Sequence, residues 1–213
     1  MEIKKYLFIL LVLLTGCSET KQEQIKEIFS LLNKKNQKER IVSRGDLETI
    51  GYPIVKIITN GLIKKTYLLP ITQRNGYTNY VSGNGQSITT NKLSLIRTNG
   101  FDIYLISAYS SEQIKIEKIQ KKEKLKYKKF YEYLTPSFGS ESFVLECMSM
   151  LKEKERIEIM NVKYYLNKVE ETCINEKTTF LNYYWFDEDN YFWKTTQTLP
   201  KNHITVDLES VIK

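Results

Sequence analysis

Hydrophobic positions along the chain change their spacing twice. Tyr6 to Leu14 is an almost unbroken run of Leu, Ile, Val and Phe behind Lys4 and Lys5. Residues 18–39 hold no Gly or Pro, and Ile25, Ile28, Phe29 and Leu32 recur at i, i+3, i+4 and i+7. That spacing predicts an amphipathic helix, either packed on a domain or lying as a tether at a membrane surface. From Asp46 onward the period falls to two, with β-branched and aromatic segments between turn signals such as Asn60-Gly61, Asn75-Gly76, Gly83-Asn84-Gly85, Asn99-Gly100 and Ser137-Phe138-Gly139.

The alternating part predicts strands over Pro53–Thr59, Leu62–Ile71, Tyr77–Val81, Ser87–Leu95 and Ile103–Ala108. Beyond a lysine-rich stretch it predicts more over Lys126–Leu134, Ser142–Leu151, Arg156–Ile159, Lys163–Cys173, Thr178–Phe186, Tyr191–Leu199 and Ile204–Val211. Many short strands at even spacing, with no helices between, define an all-β protein of antiparallel sheets, a sandwich or an open barrel, preceded by the N-terminal helix. The domain plan is 1–16, 17–45 for the anchor and helix, and a single β-rich domain over 46–213.

The first texture has its own meaning. A basic start and a short apolar run form a secretory signal, well below the ~20 residues of a spanning helix. It ends Leu14-Thr15-Gly16-Cys17 and turns polar at once, which resembles the lipobox of bacterial lipoproteins. In such precursors the Cys is acylated and becomes the first residue of the mature chain. Two acyl chains give stable anchoring where one gives only marginal binding, so Cys17 is expected to hold the domain to membrane lipid. Ser18 after the Cys resembles lipoproteins sorted to the outer membrane, here on its periplasmic side.

Removing residues 1–16 takes out two Lys and one Glu, so the formal charge falls from +7 to +6. An exported protein rarely meets nucleic acid, so this excess fits no nucleic-acid role. The dense run Ile116 to Lys129 suits a solvated loop or edge strand, or contact with an anionic lipid or polysaccharide. Besides Cys17 the chain has Cys147 and Cys173, which an oxidising compartment is expected to join. Metal binding is not expected, because His203 is the only His and no CxxC spacing occurs. No cofactor motif is present either.

Candidate catalytic groups are few. His203 has no nucleophile signature beside it. Asp187 and Asp189 form a carboxylate pair but sit in a turn, where Asp serves the backbone. Glu170 and Glu171 are expected to be exposed. Fifteen Tyr and two Trp pack sheets or stack on sugars, and Asn75 to Tyr80 and Thr98 to Tyr104 place aromatics beside turns, where loops carry function.

Four features together resemble the YjbF/GfcB-type lipoproteins, encoded with exopolysaccharide and group 4 capsule genes. They are the lipobox, NGYTNYVSGNGQSI (Asn75 to Ile88), IRTNGF (Ile96 to Phe101) and YWFDEDNYFWKTTQTLPKNHITVDL (Tyr184 to Leu208). The matching positions are Arg97, Thr98 and Gly100 in the first turn motif, then Trp185, Asp187 and Gln197 in the last. The chain departs in its lysine-rich insertion and in Lys194-Thr195. The resemblance implies an all-β, non-enzymatic accessory to polysaccharide export, working with an outer-membrane β-barrel and periplasmic export proteins. An envelope-maintenance lipoprotein and a periplasmic glycan-binding module stand as alternatives.

Overall fold

The computed structural model describes residues 43–49, 54–59, 66–111, 124–176 and 178–212, within a compact unit spanning Ile41–Lys213. Cys17 and the helix expected over 18–39 lie outside the described residues. Among the described residues a short helix α1 (Arg44–Glu48) leads into thirteen strands. The first six are β1 (Ile54–Thr59), β2 (Thr66–Arg74), β3 (Tyr77–Val81), β4 (Ser87–Asn91), β5 (Ser94–Asn99) and β6 (Leu105–Ser110). Then come β7 (Leu125–Leu134), β8 (Ser140–Leu151), β9 (Glu155–Ile159), β10 (Val162–Ile174), β11 (Thr179–Phe186), β12 (Phe192–Leu199) and β13 (Ile204–Ile212).

Every pairing is antiparallel, and twelve strands follow one path: β5-β4-β3-β2-β1-β13-β12-β11-β10-β8-β7-β6. Strand β9 pairs only with β10, as the outer arm of a hairpin. The two ends of the path, β5 and β6, are consecutive in the chain and lie against each other. The sheet is therefore an up-and-down barrel in sequence order, nearly closed, with first and last strands paired and its seam between β5 and β6. Of the two expected arrangements, the barrel is the one formed.

One expected strand is corrected. Ser87–Leu95 is two strands, because Lys92 and Leu93 both adopt positive φ, 48° and 60°, and reverse the chain. Such a tight turn normally calls for Asn or Gly at its centre, so the residues did not announce it.

Alternation sets the inside of the barrel. Along β7, Leu125, Tyr127, Lys129, Tyr131 and Tyr133 are buried while Lys126, Lys128 and Leu134 are exposed. A twelve-stranded barrel is wide, and large rings fill it: Tyr80, Tyr131, Tyr133, Phe180, Tyr184, Phe186 and Phe192 all belong to one buried cluster. A second cluster, Ile159, Leu166, Trp185 and Trp193, lies where the β9–β10 hairpin covers the outer face of β11 and β12.

The barrel has two distinct ends. Helix α1, the start of β1 and the turns at 75–76 and 92–93 lie at one, where Arg44 Nη1 donates to the Tyr164 hydroxyl at 2.7 Å. The turns 82–86, 100–104 and 135–139 and the 3-10 turn Lys201–His203 lie at the other.

Candidate functional site

The first motif closes the seam. Thr98, on β5, accepts a hydrogen bond from the Leu105 amide at 3.1 Å and donates to the Ile103 carbonyl. One hydroxyl thus stands in for the ladder that β5 and β6 lack. Gly100 follows at φ 74°, and a Cβ there would come within 3.2 Å of Gln86 Cα. Gln86 Nε2 in turn donates to the Gly100 carbonyl at 3.0 Å. Arg97 is exposed on the same strand.

Gln197 reaches the seam strand through the barrel. Its Oε1 accepts from the Leu95 amide and its Nε2 donates to the Leu93 carbonyl, both at 3.0 Å, with Thr195 donating to the same carbonyl at 3.1 Å. The strained turn at Lys92-Leu93 is therefore clamped by two side chains of β12. Thr98 and Gln197, far apart in the chain, hold the same strand. Replacing Thr98 by the isosteric Val should strand the buried Leu105 amide. The expected loss is about 1–3 kcal/mol of stability, with faster hydrogen exchange at Leu105. Unchanged protection of that amide would show that the hydroxyl does not hold the seam.

Trp185 and Asp187 do other work. Asp187 Oδ2 accepts from Trp193 Nε1 at 3.0 Å and Oδ1 from the Tyr191 amide at 2.9 Å, which binds the β11–β12 turn to the outer cluster. Trp185 Nε1 donates to Glu155 on β9 at 3.0 Å. Lys194 pairs with Glu209 at 3.0 Å beside Lys56 at 2.6 Å. His203 is exposed and stacks on Phe180, with ring centroids 5.3 Å apart.

Two expectations about charge are overturned inside the barrel. Lys129, in the run expected to be solvated, and Glu171, expected to be exposed, are buried and paired at 2.6 Å. Glu170, its neighbour, does face outward and pairs with Lys152 at 3.0 Å. Glu171 also receives bonds from Asn182 at 2.5 Å, Tyr184 at 3.2 Å and the Tyr127 hydroxyl. Tyr184 also accepts from Lys129 at 3.0 Å. Burial alone would raise the Glu171 carboxyl, but the Lys129 charge and the donors around it outweigh burial and hold its pKa below the usual carboxylate value. Burial would lower Lys129, and Glu171 outweighs that, so the ammonium titrates well above its usual value. Burial and Glu171 push Tyr127 and Tyr184 upward, and both keep their protons. The signal was present: Lys129 shares its phase with four buried apolar residues of β7, and Glu171 lies between Val169 and Cys173 in the inward phase of β10.

Cys147 and Cys173 are joined, directly opposite each other on β8 and β10 with Cα atoms 4.0 Å apart. Together with Glu171 they are the one grouping of metal-ligand type among the described residues. With both sulfurs in the bond and the carboxylate held by Lys129, the set offers no thiolate to an ion.

The turn-borne aromatics fall at opposite ends. Tyr77 lines a cavity of about 130 Å³ at the α1 end, with Lys129 and Tyr184 on its wall. Tyr104 lines a larger cleft, about 490 Å³, at the other end, among the turns 100–104, 135–139 and 201–203.

The class the fold defines is a nearly closed, twelve-stranded, up-and-down antiparallel barrel whose seam strand is held by Thr98 and Gln197. The chain belongs to the family described as group 4 capsule polysaccharide lipoprotein gfcB, YjbF, whose model matches residues 22–211. The crystal structure of the hypothetical lipoprotein YmcC from Escherichia coli (K12) has the same fold at TM-score 0.73 and 13% identity, covering 93% of this chain and 98% of that one. No curated protein matches the chain.

Proposed function

We propose that this protein is an outer-membrane lipoprotein, held through Cys17 on the periplasmic side, that assists export or assembly of a capsule or exopolysaccharide without catalysing a reaction. The observation that carries the reading is the family match across nearly the whole barrel, joined to Leu14-Thr15-Gly16-Cys17 at its start. The polar side chains of the barrel support a non-catalytic role. Glu171 and Lys129 satisfy each other, and both oxygens of Asp187 are taken by Trp193 and Tyr191. An outer-membrane β-barrel and periplasmic export proteins are the proposed partners.

Deleting the protein should leave polymer synthesis intact and lower the amount at the cell surface, measured as surface and total polysaccharide separately. Cys17→Ala should give a chain that is not acylated and reproduce the surface defect. An unchanged surface fraction in the deletion strain would refute the export reading. An enzyme acting on the polymer would instead alter its length or substitution, and a general envelope factor would cause detergent sensitivity even where no polymer is made.

A further inference from the structure

We propose that the cleft at the end of the barrel opposite α1 binds a sugar unit of the exported polysaccharide, stacked against Tyr104 and Phe138. The inference rests on the export reading for the identity of the polymer, and on the cleft itself for the chemistry.

Phe138 is the strongest sign. It sits in the β7–β8 turn at φ 60° and is 89% exposed. A bulky residue in the left-handed region costs roughly 1–2 kcal/mol, which Gly would avoid, and a ring in solvent returns nothing through burial. The turn does not need Phe: Thr135 shapes it, accepting from the Phe138 amide at 3.0 Å and, through its hydroxyl, from the Gly139 amide at 3.0 Å. Folding does not explain this residue. Its ring is left free at the rim of the cleft.

Tyr104 lines the same cleft and is 58% exposed. Its carbonyl accepts from the Leu134 amide at 2.9 Å, which fixes the ring's base to the end of β7. Two flat apolar faces on anchored turns suit the C–H face of a pyranose. Tyr133, itself buried, lines the same cleft with its hydroxyl beside the Lys201 backbone. Asp102 and Asn202 add polar groups to the walls.

The volume, about 490 Å³, falls within the ~300–1,000 Å³ of small-ligand sites. The charge chooses the ligand. Lys201 is paired with Glu141 at 3.2 Å, and Asp102 is a carboxylate, so the cleft carries no net positive charge to attract an anionic lipid surface. It lies at the end of the barrel opposite α1, where the first described residues enter.

The test uses the full acylated lipoprotein in neutral detergent, with oligosaccharides from partial acid hydrolysis of the source cell's own exported polymer. Saturation-transfer NMR and calorimetry should show binding by the wild type. Phe138→Gly and Tyr104→Ala should each weaken it about fivefold or more. Phe138→Gly should melt no lower than the wild type, which separates lost binding from lost fold. No binding by the wild type, or binding unchanged in the double variant Tyr104→Ala, Phe138→Gly, overturns the proposal. So does a double variant that keeps oligosaccharide binding while its surface polymer falls, which would assign the rings to a protein or lipid partner. Binding by a protein whose deletion leaves surface polymer unchanged would sustain the cleft and sink the export reading. Lost surface polymer with no binding would do the reverse.

Discussion

Lys129→Ala should destabilise the barrel by about 3–5 kcal/mol, the cost of leaving a buried charge without its partner. Glu171 is fully buried and bonded to Lys129 at 2.6 Å, so removing the ammonium exposes the whole desolvation cost of the carboxylate. The double variant Lys129→Met, Glu171→Leu should recover most of the loss, since well-packed apolar residues often equal or better a buried pair. Urea unfolding of the three proteins, with coincident probes to confirm two-state behaviour, checks both statements. A single variant within 1 kcal/mol (about fivefold in the folding constant) of the wild type would show that the pair is not the barrel's polar centre.

The same pair sets a pH dependence. A carboxyl whose folded pKa is lowered contributes fully above its unfolded value, ~4.3, and loses that contribution as pH falls through the folded value. Glu171, Glu209 and Glu155 are all held low, so stability should be flat above about pH 5 and drop below it. Lys129 is raised, so its contribution is present below its unfolded value, ~10.4, and is lost only as pH rises through the higher folded value. In Lys129→Ala the Glu171 carboxyl has lost its counter-charge, and burial raises its pKa. That variant should therefore close part of its gap to the wild type as pH falls from 7 to 5.

Replacing Cys147 and Cys173 together by Ala should cost about 2–5 kcal/mol. Their separation of 26 residues gives about 3.5 kcal/mol in the chain-entropy account. The bond joins β8 to β10 across the excursion of the chain through β9. In the unfolded chain it closes that whole excursion, while in the folded barrel the ladder already sets the two residues opposite each other. Reductant should lower the wild-type unfolding midpoint toward that of the variant and leave the variant unmoved. Two alkylatable thiols in the exported wild-type protein would refute the bond.

How much of this was legible in the residues depended on range. Period-two alternation and turns such as Asn75-Gly76 express local backbone preferences, so the strands could be read where they lie, and so could the short apolar run ending at Cys17. The inward phase of β7 and β10 was also written in the chain. What it could not state was that Lys129 and Glu171, 42 residues apart, would meet there, because a charge on an inward phase reads as an exposed residue until its partner is known. The Lys92-Leu93 turn escaped for a related reason: its positive φ values are held by Gln197 and Thr195 from another strand, not by its own residues.

The chain by itself determined the all-β class, antiparallel pairing and the family, since each follows from patterns within a strand, a turn or a motif. Only the tertiary structure decided between sandwich and barrel, because closure depends on strand number and stagger summed round the whole sheet. It also made Thr98 and Gln197 partners in one seam. And it brought Tyr104, Tyr133, Phe138 and Lys201 to one rim, a cleft that no local rule describes because its walls are contiguous only once the barrel has closed.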